Sequence, residues 1–438
     1  MWMIKKMNGD KHVLNVYLGT ELIADITAID DQLYWNYSKI WSETGYAISP
    51  HLPLKGEIPP LNVQRFLKNL LPEGSALEEL INNFRLSKNN TFGLIQALGL
   101  DTPGSLIILS SKQNLPQTNN FRLVSDMEIE QRLNSRDTFG LIIWDEKPRL
   151  SVAGVQDKIN VLLNNKNKLG FGEGNLCSTH LLKFEKKNQS HLVLNEYFTM
   201  HLAKECGLNV AEVQLNRYGK YSALLVKRFD RKLDSDGLIK RRHIIDGCQA
   251  LNLPPEYKYE QNYGNNRDVA HIRDGVSLYQ LYKFANSCIN PAKTKLQILD
   301  WVLFNVLIFN YDAHGKNISF FVGNKGISLA PFYDLVNIKM YPEFKHELAM
   351  ALGDEFDDNN INAYQLADFA DTCELPKALV VKRLNYLIEK LNSAIQKEFE
   401  LTVVDKKEQL YLTTYKKMII KRCDHLREQS KYIASMQL

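Results

Sequence analysis

"DAHGKNISFFVGNKGISLAPFYDLV" (residues 312–336) follows an apolar run at 296–310 and opens with a cluster of polar side chains. Asp312 and Asn317 stand five positions apart, the D-x-x-x-x-N spacing of a kinase catalytic loop. In that loop the aspartate accepts the proton of an attacking hydroxyl, and the asparagine holds a magnesium ion. A polar turn between a helix end and a strand explains this stretch equally well, so the rest of the chain has to decide.

A predicted hairpin follows the polar cluster. The segments "ISFFV" and "ISLAPF" have strand composition, and the residues between them, 323–326, are Gly-Asn-Lys-Gly, which favours a tight turn. Such a hairpin would carry Asp334 back beside Asn317, where kinases place a second metal-binding aspartate. Magnesium prefers hard oxygen ligands and usually takes one or two carboxylates plus phosphate oxygens. The order of helix, polar loop, hairpin and aspartate is more specific than any of its parts.

Two charged residues upstream fit the same scheme. "THLLKF" places Lys183 in a predicted strand, and thirteen residues later Glu196 lies in the predicted first turn of a helix, "LNEYFTMHLAKECG". An ion pair between them would orient the ammonium toward the α- and β-phosphates of a nucleotide. A strand lysine taken alone is usually a surface lysine, so this prediction depends on the C-terminal motif.

A phosphate-binding loop is harder to find, because the chain contains neither a G-x-G-x-x-G nor a Walker motif. The candidate is "SVAGVQDK" (151–158), which has one glycine, Gly154, between two predicted strands. Its backbone amides would cradle phosphates if the turn formed an anion-binding nest. An ordinary hairpin turn remains the alternative.

The whole chain indicates a soluble protein of two or three domains. It has 438 residues, 45% hydrophobic and 24% charged, and no apolar run long enough for a secretory signal or a membrane span. Six scattered cysteines form no CxxC pair, which favours reduced thiols and a cytoplasmic location. A net charge of +4 is too small to indicate strong nucleic-acid binding.

The order of the predicted elements indicates an α+β fold. Strands are predicted at 12–19 and after 101, two helices at 63–84 broken at 71–74, and a loop or domain boundary at 110–122. From about residue 235 the pattern turns helical. A β-rich first half followed by a helical second half predicts two lobes.

Seven motifs in this order resemble the HipA family of bacterial serine/threonine protein kinases, which act as toxins of toxin–antitoxin systems. They are "SVAGVQDK", "STHLLKF", "NEYFTMHLAKECGLNV", "LLVKRFDRK", "CQALNLPPEYKYE", "DAHGKN" and "APFYDLV". The segments "FLKNLLPEG" and "DTPGSLIIL" also resemble the N-terminal subdomain of that family. The resemblance therefore covers nearly the whole chain.

The resemblance implies a two-lobed protein-kinase-like fold, with a β-rich N-terminal lobe and an all-helical C-terminal lobe. The expected domains are an N-terminal subdomain at 1–125, a small-lobe core at 126–232 and a helical lobe at 233–438. ATP and Mg2+ are the implied cofactors. The implied site comprises Asp312 as catalytic base, Asn317 and Asp334 as metal ligands, the Lys183–Glu196 ion pair, Ser151 as the autophosphorylated residue, and ATP contacts from Ala153, Gly154, Val155, Gln156, Lys158, Lys183, Phe229, Gln249, His314, Lys316 and Tyr333.

The family resemblance also implies partners. These are a helix-turn-helix antitoxin of HipB type, operator DNA bound through that antitoxin, and a protein substrate, which in this family includes aminoacyl-tRNA synthetases; no membrane partner is expected. The chain departs from the family pattern at Lys227, where a glutamate is usual, at 313–315, which read Ala-His-Gly, and before Asp246, where a glutamine and a glutamate are usual.

Two other functions remain open at this level. The same fold could phosphorylate a lipid or a small molecule, since the loop lacks the histidine-arginine-aspartate of ordinary protein kinases. Alternatively, a catalytically weak chain could serve as a scaffold for antitoxin and DNA. The presence of Asp312, Asn317, Asp334 and Lys183 together argues against a scaffold, which needs none of them.

Overall fold

The computed structural model describes residues 12–150, 156–186, 189–233, 238–397 and 405–437. The chain is a mixed α/β protein in which antiparallel sheets precede and accompany a set of helices. Within the described ranges, no helix is both long enough and apolar enough to cross a bilayer.

The first sheet forms from strands in which apolar residues alternate. Leu14 and Val16 of its first strand and Ile26 of its second are buried on one face, as the period of two predicts. Its strands lie in the order β3-β2-β1-β4. The elements of residues 12–150 are β1 (His12–Leu18), β2 (Glu21–Ile29), β3 (Gln32–Tyr37), α1 (Lys39–Thr44), α2 (Pro60–Lys68), α3 (Gly74–Phe84), α4 (Thr91–Leu98), β4 (Leu106–Ser110), β5 (Asn119–Leu123), α5 (Asp126–Asn134), α6 (Arg136–Phe139), β6 (Ile143–Trp144) and β7 (Lys147–Pro148).

The predicted break between two helices at 71–74 is confirmed. Helix α2 ends at Lys68 and α3 begins at Gly74, whose φ of 58° is a left-handed conformation that glycine adopts without strain. The turn places Glu73 at the N-cap of α3, but its side chain makes no capping hydrogen bond. This carboxylate is therefore available for a contact elsewhere.

The second sheet has six strands, in the order β11-β12-β10-β8-β9-β5. Strand β5 starts inside the segment 110–122, which was predicted as a loop; this prediction is wrong from Asn119 onward, because β5 pairs with β9 at the sheet edge. Because β5 consists largely of polar residues, its sequence does not show the apolar alternation that predicts a strand. The further elements of this region are β8 (Lys158–Leu163), β9 (Leu169–Gly174), β10 (His180–Phe184), α7 (Leu192–Glu205), β11 (Val213–Tyr218), β12 (Tyr221–Lys227) and β13 (Arg231–Leu233).

The last region is mainly helical, but the expectation that it is all-helical is wrong. A three-stranded sheet, β15-β16-β17, and a hairpin, β18-β19, lie among its helices. Gly326, with a φ of 103°, allows the predicted tight turn between β16 and β17. The elements are β14 (Ile239–Arg241), β15 (Ile244–Asp246), α8 (Gly247–Ala250), α9 (Leu278–Ala285), α10 (Pro291–Leu307), β16 (Ser319–Gly323), β17 (Gly326–Leu329), β18 (Glu347–Leu352), β19 (Glu355–Asp357), α11 (Ala363–Thr372), α12 (Lys377–Gln396) and α13 (Lys406–Ile433).

The described residues form two hydrophobic cores. One core joins the first sheet and its helices to the C-terminal helices, and the other lies against the six-stranded sheet. The cysteines belong to this interior, since all six are buried and none forms a disulfide: Cys177, Cys206, Cys248, Cys288, Cys373 and Cys423.

Candidate functional site

Lys183 on β10 contacts two carboxylates at once. Its Nζ donates to Glu196 Oε1 at 2.6 Å and to Asp334 Oδ1 at 2.9 Å. Burial would lower the pKa of Lys183, but the charges of Asp334 and Glu196 outweigh burial and raise it. Burial likewise works to raise the pKa of Asp334, and the ammonium of Lys183 overcomes it and holds that pKa at about 2. Lys183 and Asp334 are therefore both charged at neutral pH.

The predicted pairing of Lys183 with Glu196 is thus present, with one difference in position. Helix α7 begins at Leu192, so Glu196 is its fifth residue and lies in the second turn rather than the first. Glu196 is fully buried, and the lysine side chain is 5% exposed. Helix α7 is buried on most of its sides, since Val193, Phe198 and Leu202 are buried as well, so the Glu196 carboxylate lies in the interior.

The hairpin carries Asp334 back toward the loop of Asp312, as predicted. The hydroxyl of Tyr333 donates to the backbone oxygen of Lys316 at 2.6 Å, which fixes the segment after β17 against the polar loop. Asp334 has a φ of 60°, in the left-handed region. Non-glycine residues in that region cluster at functional sites, where the surrounding structure holds them in place.

Asp312 lies on the loop after α10 and accepts a hydrogen bond from the hydroxyl of Tyr259 through Oδ1. The amide nitrogen of Asn317 donates to the backbone oxygen of Asp312 at 2.7 Å, so its side-chain oxygen is the atom suited to a metal. Desolvation by the cleft walls raises the pKa of Asp312 to about 6, and the bond from Tyr259 opposes the rise. The side chain is still 47% exposed, so solvent in the open cleft limits the rise, and Asp312 is ionised at neutral pH.

These side chains face one cavity of about 660 Å³. An aromatic group forms part of its wall: Phe229 and Tyr333 lie 5.6 Å apart between ring centroids, and Phe229 meets Phe321 edge-on at 5.9 Å. The predicted site residues that line the cavity are Gln156, Lys158, Lys183, Phe229, Gln249, Asp312, His314, Lys316, Asn317, Tyr333 and Asp334.

The segment predicted to bind phosphates is only partly described. Lys158 stands opposite Lys183 in the ladder between β8 and β10. Burial, with a contribution from the charge of Lys183, lowers the pKa of Lys158 to about 8. Gln156 donates through Nε2 to the backbone oxygen of Phe184 at 3.3 Å. The remaining predicted members of this loop lie outside the described residues: Ser151, Ala153, Gly154 and Val155.

Lys316 and Gln249, both predicted as ATP contacts, make protein contacts here. Lys316 Nζ donates to the backbone oxygen of Asn69 at 3.1 Å, to Asn69 Oδ1 at 2.9 Å and to Asp246 Oδ2 at 2.5 Å. Gln249 belongs to the capping box of α8 and donates through Nε2 to the backbone oxygen of Phe66 at 3.1 Å. Through these bonds Gln249 contacts helix α2, and Lys316 contacts Asn69, the residue that follows α2.

His314 is buried beside Asp312. Its ring meets that of Tyr259 edge-on, with centroids 5.0 Å apart. Desolvation, followed by the nearby charge of Lys258, lowers the pKa of His314 to about 3, so the imidazole is neutral at physiological pH. Lys227, one of the departures from the family pattern, has a side chain that is 51% exposed and pairs with Glu212 at 2.9 Å.

The sequence interpretation did not name many of the cavity-lining residues, among them Asn69, Glu73, Lys258 and Tyr259. Asn69 and Glu73 come from the "NLLPEG" turn, and the other two from "EYKYE". Polar residues beside a proline-glycine break, and a tyrosine-flanked lysine in a motif of the family resemblance, were available signals. Neither signal indicates which residues of the two segments contact each other in the folded protein.

A buried lysine–glutamate pair, an aspartate on a polar loop, and an asparagine and a second aspartate nearby are the side chains that kinases bring together. Fold and site therefore define a kinase. Two family models match the chain, the HipA N-terminal domain over residues 14–109 and the HipA-like C-terminal domain over residues 150–398. The chain belongs to the HipA family and is a kinase toxin of that family.

Similar proteins support this assignment over the full length. The serine/threonine-protein kinase toxin HipA of Shewanella oneidensis is 43% identical over 422 residues, which cover 96% of each chain. Y4mE of Sinorhizobium fredii is 30% identical over 401 residues, covering 89% of this chain and 92% of that protein. The solved complex of Shewanella oneidensis HipA with HipB and operator DNA contains a chain that matches with a TM-score of 0.89 at 41% identity, covering 97% of this chain and 100% of that one.

Proposed function

We propose that this kinase transfers the γ-phosphate of magnesium-bound ATP to a serine or threonine hydroxyl of a cellular protein. The observation that carries the proposal is the contact of Lys183 with both Glu196 and Asp334. One ammonium links a strand of the six-stranded sheet, the following helix and the segment after the hairpin. Kinases use this linkage to orient the α- and β-phosphates.

The described residues fit both cofactors. The aromatic wall of Phe229 and Tyr333 suits a flat purine base. Asn317 and Asp334 offer hard oxygens, and within the described ranges no group of three or more histidine, cysteine or acidic residues could hold a metal by itself. Magnesium would complete its coordination with phosphate oxygens and neutralise the charge that develops on them.

Asp312 is the proposed base. It is ionised at neutral pH, and the bond from Tyr259 occupies Oδ1, so Oδ2 remains to accept the proton of the acceptor hydroxyl. Asn317, through its bond to the backbone of Asp312, holds this loop in register with the proposed metal position. The catalysis of such a site is positioning combined with electrostatic stabilisation.

The proposed partner is a helix-turn-helix antitoxin of HipB type, because the similar Shewanella structure is a complex of HipA with HipB and operator DNA. The net charge of +4 is too small to give this chain strong DNA affinity of its own. We expect the isolated protein to bind operator DNA weakly, and tightly only with its antitoxin. Salt-resistant, sequence-specific binding by this chain alone in a gel-shift titration would contradict the proposal. The cytoplasm is the proposed location, where ATP and operator DNA are both found.

The proposed architecture is the two-lobed arrangement, with an N-terminal subdomain, a small-lobe core and a mainly helical lobe near the bounds 1–125, 126–232 and 233–438. The first boundary is better placed before β5, since β5 pairs with β9 of the six-stranded sheet. The cleft then lies between that sheet and the region of α8 to β17. Limited proteolysis should cut first near these boundaries.

Ser151, outside the described residues, is the proposed autophosphorylation site. A phosphoserine adds about −1.5 to −2 charges beside the proposed phosphate position, so repulsion should expel the loop or the nucleotide. Arg149, two residues away, is already engaged with Glu173 at 3.3 Å and lies over the ring of Phe171. We expect the active protein to carry phosphate on Ser151 and to bind ATP weakly, and the Asp312→Asn variant to lack it and bind ATP better. Mass spectrometry with nucleotide titration checks both; a phosphorylated form of undiminished ATP affinity would refute the switch.

The decisive experiment for the proposed function is phosphoproteomics of cells that express the wild type or the Asp312→Asn variant. A protein kinase predicts phosphosites that appear only with the wild type. Labelled ATP added to a lysate separates the acceptor classes: label confined to lipids or metabolites would instead favour a small-molecule kinase. Failure to bind magnesium-ATP at millimolar concentration would leave only a scaffold role.

A further inference from the structure

The cleft contains a second lysine–glutamate pair, formed by Lys258 and Glu73. Lys258 Nζ lies 2.5 Å from Glu73 Oε2, and the side chains are 12% and 18% exposed. Both residues line the same cavity as Asp312. Because Glu73 sits at the N-cap of α3 without capping it, its carboxylate is directed to the lysine instead. The pair therefore repeats, with a partner from the N-terminal region, the arrangement of Lys183 with Glu196.

The backbone of Lys258 is fastened to the loop of Asp312. Its carbonyl oxygen accepts a hydrogen bond from the backbone N–H of Gly315 at 2.9 Å. The next residue, Tyr259, donates its hydroxyl hydrogen bond to Asp312. Gly315 is needed for this close packing, since a Cβ there would lie 2.4 Å from the side chain of Val276. The segment 258–259 thus holds its lysine at the same end of the cleft as Asp312.

Three other basic side chains that line the cavity make contacts within the protein. Lys316 donates to Asn69 and Asp246. His314 is buried with its ring against Tyr259. Lys183 is bonded to Glu196 and Asp334 and is assigned to the α- and β-phosphates. A transferred phosphoryl group nevertheless needs a preorganised positive charge where its own charge develops.

We infer that Lys258 supplies this charge to the phosphoryl group in transit, and that Glu73 is the positioning residue that holds its ammonium in place. The inference rests on the proposed function. In that transfer the acceptor oxygen forms the new bond to phosphorus, the bond to the departing diphosphate breaks and leaves its electron pair there, and the hydroxyl proton passes to Asp312. Lys258 makes and breaks no covalent bond. The N-terminal region, through Glu73, is then part of the active site.

The test compares the variants Lys258→Met, Lys258→Arg and Glu73→Gln in steady-state phosphoryl transfer and in ATP titration. Lys258→Met should lower kcat by about 10²- to 10³-fold while the Kd for ATP changes less than about threefold, because the charge acts chiefly in the transition state. Lys258→Arg should recover a part of kcat. Glu73→Gln should cost about tenfold, since the ammonium remains but is less well fixed.

Matched controls are Lys325→Met in the exposed hairpin turn and Glu57→Gln, also exposed, which should both behave as wild type. A kcat of Lys258→Met within threefold of wild type would overturn the inference. So would a loss confined to ATP affinity, which would make Lys258 a ground-state contact only. If Lys258→Met does not fold and therefore fails to bind ATP, the inference is judged from Lys258→Arg and Glu73→Gln instead. The same two quantities, kcat and the Kd for ATP, are compared with those of the wild type. Should the wild type itself transfer no more phosphate than Asp312→Asn, the proposed function fails, irrespective of Lys258.

Discussion

Lys183 and Lys316 are both buried lysines of the cleft, and the sequence predicts both as nucleotide contacts. Their acceptors differ in kind. Within the described chain, Lys183 donates to two carboxylates, and Asp334, one of them, is 27% exposed to the cleft. Lys316 donates to three acceptors, two on Asn69 and one on Asp246, and its side chain is 3% exposed.

We propose that this difference separates a nucleotide-binding lysine, Lys183, from a structural one, Lys316. An ammonium has three N–H donors. The protein uses all three on Lys316, so this lysine joins the residue after α2 to the start of α8. Among the described residues Lys183 has two acceptors, and we propose that its third donor binds a phosphate oxygen. The number and type of acceptors, rather than burial or charge, distinguish the two roles.

The largest effect is expected at the Lys183 cluster. Lys183→Met and Asp334→Asn should each lower phosphoryl transfer by about 10²-fold or more, because each removes an orienting or metal-binding charge. The protein should stay folded and any growth arrest should be relieved. Transfer of labelled phosphate, with thermal unfolding as the folding check, measures both. Near-normal transfer by either variant at ordinary magnesium would remove that residue from the proposed site.

A smaller effect, on stability, is expected at Lys316. Lys316→Met leaves the Asp246 carboxylate without its counter-charge and two acceptors of Asn69 without a donor, so unfolding should become easier by about 3 kcal/mol. Urea unfolding of the variant against the Lys325→Met control measures this. ATP affinity of the folded variant should change little. If Lys316→Met instead kept its stability and lost much of its ATP affinity, both lysines would bind nucleotide, and the proposed difference in role between Lys183 and Lys316 would be wrong.

The smallest effect is a pH dependence of stability that comes from His243, three residues before the Asp246 that Lys316 contacts. His243 is buried, its Nε2 bonds the backbone oxygen of Ile48 at 2.8 Å, and Nδ1 has no hydrogen-bond partner within the described chain. Burial lowers the pKa of His243 to about 4. Between this value and the unfolded value of about 6.5, only the unfolded state binds the proton, so stability falls as the pH falls.

At pH 5 this histidine should cost about 2 kcal/mol relative to pH 7. Urea unfolding at the two pH values measures the difference, and His243→Gln should reduce it. In the Lys183 cluster, Asp334 should not contribute in this range because its pKa is about 2, whereas burial raises the pKa of Glu196 to about 7, so protonation of Glu196 should oppose the loss from His243. An equal pH dependence in His243→Gln and wild type would assign the loss to other groups.

The sequence predicted the parts of the site that are close along the chain. The spacing of Asp312 and Asn317 indicated the polar loop, and glycines at 323 and 326 indicated the hairpin that returns Asp334. The thirteen residues from Lys183 to Glu196 span the end of strand β10, a short connection and the beginning of helix α7. Helices and strands have a known rise per residue, so the distance between residues that are close along the chain follows from the predicted elements.

Contacts between distant segments were not predictable in the same way. Lys316 and Asn69 are 247 residues apart, and Gln249 and Phe66 are 183 apart. The local sequence pattern does not predict which buried polar groups form hydrogen bonds with each other. Those contacts depend on how α2 packs against the segments that contain Gln249 and Lys316. Two strands of the last region, β15 and β19, were missed for a related reason: each has only three residues, too few for a period of two to be visible.

The buried cysteines make this chain a convenient host for site-specific labels. All six thiols lie in the interior, and burial raises the pKa of Cys206, Cys373 and Cys423 to about 12. A thiol-reactive dye attacks the thiolate form at an accessible sulfur, so these positions should react slowly in the native protein. A fluorophore pair on new cysteines at two exposed positions, such as Glu57 and Lys325, would therefore report the distance between those positions without first removing the native thiols.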